Sequence, residues 1–176
     1  MLEYADGDTH YEVHKEGDFI KYMAIHWKGL SKDTRVGVVP YHDVATDIIR
    51  ITDNDYADFL SDIDQLSRRL QPGGKADLVK ALDFVRDNSF TGARDGVPKV
   101  VIAIINQLDN TPDELLAAAN RIKQSCINLI TLFVEGNPRN DTLVQQIASQ
   151  PHSHFFRHYD RFSDLRNDQN GFNIKC

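Results

Sequence analysis

Three histidines crowd the C-terminal part of the chain: His152, His154 and His158. Neutral imidazole is a good ligand for zinc and other transition ions, so such a tract could hold a metal. His154 and His158 are an even number of residues apart on an expected strand and so share one face, yet Phe156 stands between them on that face. Separate hydrogen-bonded or exposed imidazoles are the simpler reading. Nucleophilic catalysis has little to work with. There is no Gly-x-Ser-x-Gly elbow, and Cys126 falls on the apolar stripe of an expected helix rather than at an electropositive helix start. Gly73-Gly74-Lys75 belongs to neither nucleotide-binding glycine pattern and reads as a turn. Asp62 and Asp64, two apart on a helix, point in different directions and make no acid/base pair. An enzyme is not expected. Asn140-Asp141-Thr142 is an N-glycosylation sequon in an expected loop, usable if the chain is secreted.

The elements that must position these residues alternate between strand and helix. Met1 to Ala5 is a short strand, followed by a polar loop and then Phe19, Ile20, Met23, Trp27 and Leu30 at helical spacing. Arg35 to Tyr41 and Thr46 to Thr52 read as a hairpin. Phe59, Ile63, Leu66 and Leu70 mark a helix that Gln71-Pro72-Gly73-Gly74 breaks, and Leu78, Ala81, Leu82 and Val85 mark the next, running to Asn88. Val100 to Ile105 is apolar on both faces, as a central parallel strand covered by helices must be. Thr111-Pro112-Asp113-Glu114 supplies an N-cap, a proline at N1 and acids in the first turn of a helix whose stripe is Leu115, Ala119, Ile122 and Cys126. Asn128 to Val134 is a strand, Asp141 to Ser149 a short helix, and His154 to Tyr159 a last strand before a helix with Phe162 and Leu165. Such alternation predicts a doubly wound α/β fold: a mostly parallel six-stranded sheet, Thr46 to Thr52 as its one antiparallel edge strand, and helices on both faces. Ligands of such sheets meet the carboxyl ends of the strands.

A chain of 176 residues, 41% apolar and 26% charged, fits one ordinary globular domain. No apolar run approaches the roughly 20 residues needed to cross a bilayer. A net charge of −6 with scattered lysines and arginines offers no stripe for a phosphate backbone, so nucleic acid is not an expected partner. Met1-Leu2-Glu3-Tyr4 lacks the charged and apolar regions of a signal peptide, so secretion is not legible at this N-terminus. Two cysteines are too few for a disulfide-built scaffold and leave the compartment open.

The segments RVGVVPYHD, QPGGKADLVKALDFV, DGVPKVVIAII, ELLAAANRIKQSCINLITLFV and LVQQIASQPHSHFF, in this order and spacing, resemble successive parts of a von Willebrand factor type A domain. The resemblance covers nearly the whole chain, residues 1–176 as a single domain, and is greatest to extracellular-matrix members. It implies a Rossmann-like fold and a secreted module of the matrix that binds a protein partner, with collagen the first candidate. It also implies where to look for a metal-ion-dependent adhesion site. The family builds that site from an Asp-x-Ser-x-Ser loop after the first strand, a threonine before the third helix and an aspartate after the central strand.

Carried over residue by residue, Asp6 matches the first aspartate, while Asp8 and His10 stand where the serines belong. Ala76 takes the threonine position and Asn106 the second aspartate. The site is degenerate. Asp6, Asp8, His10 and Asn106 could still hold Mg²⁺, Ca²⁺ or Zn²⁺, giving the alternative of a metal-dependent receptor domain that captures an acidic ligand residue. Lys75 argues against it, because an ammonium near two carboxylates supplies the charge that a cation otherwise would. No cofactor is required on this reading. Cys126 and Cys176 both emerge at the lower edge of such a fold, so a bridge between them is one reading and a buried free thiol at Cys126 another. The resemblance adds a third, pairing of Cys176 with a cysteine outside the sequence.

Overall fold

The computed structural model describes residues 2–3, 10–30, 33–41, 45, 49–51, 56–69, 75–134 and 140–168. Its elements, in chain order, are β1 (Leu2–Glu3), α1 (His10–Leu30), β2 (Pro40–Tyr41), α2 (Tyr56–Arg69), α3 (Leu78–Phe84), β3 (Lys99–Ile105), α4 (Pro112–Gln124), β4 (Ile127–Val134), α5 (Asp141–Ile147), α6 (His152–Phe155), β5 (Phe156–Tyr159) and α7 (Phe162–Asn167). A wider π-type turn over Val85–Ser89 extends α3. The strands lie in the order β2-β1-β3-β4-β5, and every named pair is parallel.

β3 and β4 form the longest ladder, from Lys99 opposite Ile127 to Ile105 opposite Phe133. Alternate residues feed two cores. Ile104, Ile130 and Leu132 pack with Phe19 and Met23 of α1, Phe59 and Ile63 of α2, and Phe162 of α7. Val101, Ala103, Ile105, Leu129 and Phe133 pack with Leu78 and Leu82 of α3, Leu115 and Ile122 of α4, and Val144 of α5. A strand buried on both faces can be apolar throughout, which is why VVIAII carries no polar residue. Thr131 and Ser149 are buried polar residues with partners in this interior. Thr131 donates its hydroxyl to the Val144 carbonyl at 3.1 Å, and Ser149 Oγ accepts from the Leu129 amide at 2.9 Å.

Among the described residues the sheet has five strands, and the expected sixth, Thr46 to Thr52, falls largely outside them. Val38 pairs antiparallel with Ile49 through two backbone hydrogen bonds of 2.9 and 3.3 Å, so the hairpin expected from the sequence is present at that step. Residues 46–48 and 52 of its second arm lie outside the described residues. Gly37 allows the arms to approach: a Cβ there would stand 2.9 Å from the Ile49 carbonyl oxygen.

Three local expectations are corrected. Helix α1 begins at His10, so the polar loop expected as far as Gly17 is already helical from that residue. The last strand starts at Phe156, because Pro151 fixes an extended residue that opens a short helix over His152–Phe155. His154 therefore shares no strand face with His158. Cys126 is not part of the α4 stripe: the helix ends at Gln124, and Cys126 is exposed with φ 57°, the left-handed residue that turns the chain into β4.

Candidate carboxyl-edge site

In this topology β3 delivers Asn106 to the carboxyl edge of the sheet, and residues 75–77 lead into α3 beside it. The two segments are joined directly. The Ala76 amide donates to Asp109 Oδ2 at 3.0 Å, and the Val79 amide reaches Asn110 Oδ1 at 3.4 Å. Asn110 Nδ2 in turn donates to Asp77 Oδ1 at 3.0 Å. Gln107 Nε2 holds the other Asp109 oxygen at 2.7 Å. Asp77 is also the N-cap of α3: its carboxylate accepts from the Lys80 amide at 3.0 Å and pairs with Lys80 Nζ at 2.9 Å. Burial by itself raises the Asp77 carboxyl, but the Lys80 and Asn110 hydrogen bonds and the Lys80 ammonium outweigh it and hold it below its ordinary value.

The helix after this loop starts as its sequence predicts. Glu114 Oε2 accepts from the Thr111 amide at 3.1 Å and the Thr111 hydroxyl at 2.7 Å, and Pro112 occupies the first turn. Those two bonds lower the Glu114 carboxyl. Further along, Asp83 of α3 binds Arg86 at 2.8 Å and takes two bonds from Arg121 of α4, at 2.9 and 2.6 Å. This fork ties α3 to α4 and so fixes the helix whose N-terminus borders the edge.

A second group stands where β5 leaves the sheet. His158 Nδ1 lies 2.7 and 2.9 Å from the two carboxylate oxygens of Asp141, the first residue of α5, and its ring tilts against Phe133 at 5.4 Å. Asp160 is 4.0 Å from Nε2. The histidine tract is not gathered, since His154 is exposed on α6 while His158 is held by α5. Tyr159, next in β5, donates to Asp168 at 2.7 Å; burial first, and then that carboxylate, push its hydroxyl well above its ordinary range.

Of the residues read from the sequence as a metal set, Asp6 and Asp8 lie outside the described residues, as does the side chain of His10. Asn106 is half-buried and Lys75 exposed. Ala76, at the position expected to carry a hydroxyl ligand, is 1% exposed and offers no side-chain oxygen. Among the described residues no group of three or more His, Cys, Asp or Glu is arranged to hold a metal ion. Of the described positions of this set, Asn106 carries a neutral amide and Ala76 a methyl. Asn140 is half-buried just before α5, Cys126 carries a free thiol, and Cys176 lies outside the described residues. Asp77, Asp109 and Asn110 are not among the candidate residues the sequence offers. Asp77 did carry a signal, an N-cap residue before an apolar helical pattern; the other two read only as a polar loop.

The family model of the von Willebrand factor type A domain matches residues 9–169. The chain belongs to this family. Among solved structures, the type A fold is shared with proximal thread matrix protein 1 from the mussel byssus, at TM-score 0.78 and 20% identity over 97% of this chain and 45% of that one. The same byssal protein with a zinc-occupied MIDAS motif superposes at TM-score 0.79, with 20% identity over 97% of this chain and 46% of that one. Manganese-loaded TRAP protein of Plasmodium vivax matches at TM-score 0.75 and 19% identity, over 97% of this chain and 70% of that one. This type A chain spans less than half of the byssal structures it matches. No curated protein sequence matches it. No helix of the described residues is long and apolar enough to cross a membrane.

Proposed function

We propose that this type A domain is a secreted extracellular-matrix module that binds a protein, collagen first among the candidates, through the carboxyl edge of its sheet and without a bound cation. The observation that carries the reading is Ala76, a buried methyl where the family's adhesion site needs a hydroxyl. Asn106 adds a neutral amide where the family needs a carboxylate. On this reading Lys75 stands near Asp6 and Asp8 and neutralises them in place of a metal, and residues 1–176 form one domain with Thr46 to Thr52 as its antiparallel edge strand. Asn140 is a glycosylation acceptor at the start of α5. Binding is protein recognition, not turnover.

The second reading is a metal-dependent receptor domain that captures an acidic residue of its ligand at Asp6, Asp8, His10 and Asn106. It draws on the zinc-occupied byssal protein and manganese-loaded TRAP as structural neighbours. Solid-phase binding to fibrillar collagen and to other matrix proteins separates the two. Association that survives EDTA supports the first reading. Association lost in EDTA and restored by Mg²⁺ or Zn²⁺ supports the second, and no association with any matrix protein overturns both.

A further inference from the structure

We propose that Asp109 and Asn110 are positioning residues: they clamp the loop after β3 onto the entry of α3 and thereby do with direct hydrogen bonds what a bridging cation would do at this edge. The inference rests on the cation-free reading above and names the groups that replace the ion.

Any edge that presents loops to a partner must hold them in one arrangement, because loops ordered only on binding subtract their ordering cost from the affinity. A cation can do this by pulling oxygens from several loops to one point. The same two segments are joined here by direct hydrogen bonds. Asp109 Oδ2 accepts from the Ala76 amide at 3.0 Å, while its other oxygen is turned by Gln107 at 2.7 Å, so the carboxylate is held at both ends. Asn110 works in both directions, taking the Val79 amide on its oxygen at 3.4 Å and giving its nitrogen to Asp77 at 3.0 Å. Asp77 passes the connection into the first turn of α3 through the Lys80 amide. The clamp thus spans Gln107 to Asn110 on one side and Ala76 to Lys80 on the other.

The chemistry at position 76 fits this role. A threonine there would direct a hydroxyl at a metal; alanine has no side-chain polar group, and its backbone N–H is met by a carboxylate from the neighbouring loop. A charged acceptor on a backbone amide makes a stronger bond than a neutral one, so the contact suits a permanent closure. Asn106 leaves Asp109 as the acid of this loop, and Asp109 is turned toward the protein's own amide.

Amide hydrogen exchange on the whole chain, in EDTA and then in Mg²⁺, tests the clamp without requiring a partner. In Asp109→Ala, the Ala76 amide should exchange about tenfold faster, the ratio for one lost hydrogen bond of ordinary strength, while Leu129 to Phe133 keep their protection. Asp109→Asn, which keeps an acceptor oxygen, should restore most of the protection. If Asp109→Ala does not fold, Asn110→Ala should accelerate Val79 and leave Ala76 slow. Unchanged exchange at Ala76 in Asp109→Ala, no recovery in Asp109→Asn, or slowing of the Ala76 and Val79 amides by Mg²⁺ in the unmutated protein each overturns the proposal. Loss of matrix binding with the exchange pattern intact would refute only the functional reading.

Discussion

Replacing Asp77 by alanine removes three contacts from the carboxyl edge at once. The N-cap bond to the Lys80 amide, at 3.0 Å, carries about 1 kcal/mol by comparison with other caps. The half-buried bond from Asn110, also 3.0 Å, adds about 1 kcal/mol. The ion pair with Lys80, whose side chain is 65% exposed, adds a few tenths of a kcal/mol once screening is allowed for. The sum is about 2 kcal/mol, which in a domain of this size lowers the melting temperature by about 4–8 °C. Urea unfolding followed by circular dichroism measures the loss. Its pH dependence tests the cause. The folded carboxyl lies below its ordinary value of 3.8, so its contribution is fully present above that value and is lost as pH falls through the folded one. The deficit of Asp77→Ala should therefore be constant from neutral pH to about pH 5 and shrink below about pH 4. Asp77→Asn, which keeps a cap acceptor, should lose less. A variant as stable as the parent, or a deficit as large at about pH 3 as at neutrality, would refute the assignment of Asp77 as a charged cap.

Three further substitutions test the frame around the edge. Ser149→Ala leaves the buried Leu129 amide without its 2.9 Å acceptor and should cost about 1–3 kcal/mol in denaturant unfolding. Gly37→Ala puts a methyl 2.9 Å from the Ile49 carbonyl and should speed exchange of the Val38 and Ile49 amides, with β3 and β4 unaffected. Cys126→Gly relieves a left-handed residue at φ 57° and should raise stability by about 0.5–1 kcal/mol; an unchanged melting curve would show that the turn is not strained.

Much of this frame is legible in the sequence because the physics that sets it is local or periodic. Val100 to Ile105 is apolar throughout because both faces are covered, and Thr111-Pro112-Asp113-Glu114 specifies its own helix start. The misread places are those where distant groups decide. Nothing next to Cys126 signals that α4 stops at Gln124, two residues short of it, since the left-handed residue there is cysteine and not glycine. His154 alternates correctly for a strand, but Pro151 starts a helical turn first. Asp109 reads as loop filler until folding brings Ala76 to within 3.0 Å. Ala76 and Asn106 stand out only against a family pattern, because an alanine and an asparagine carry no such signal by themselves.

The claim that the carboxyl edge works without a cation is tested most directly by calorimetric melting of the unmutated domain in EDTA, Mg²⁺ and Mn²⁺, with Lys75→Ala beside it. A cation bound to the folded state at about a hundred times its dissociation constant would add about 2.7 kcal/mol, a rise of about 5–11 °C here. If the edge works without a cation, the unmutated domain melts at the same temperature in all three solutions, and Lys75→Ala at a lower one that divalent ions partly restore. A rise of several degrees with Mg²⁺ or Mn²⁺ in the unmutated protein, abolished by Asn106→Ala, would contradict it.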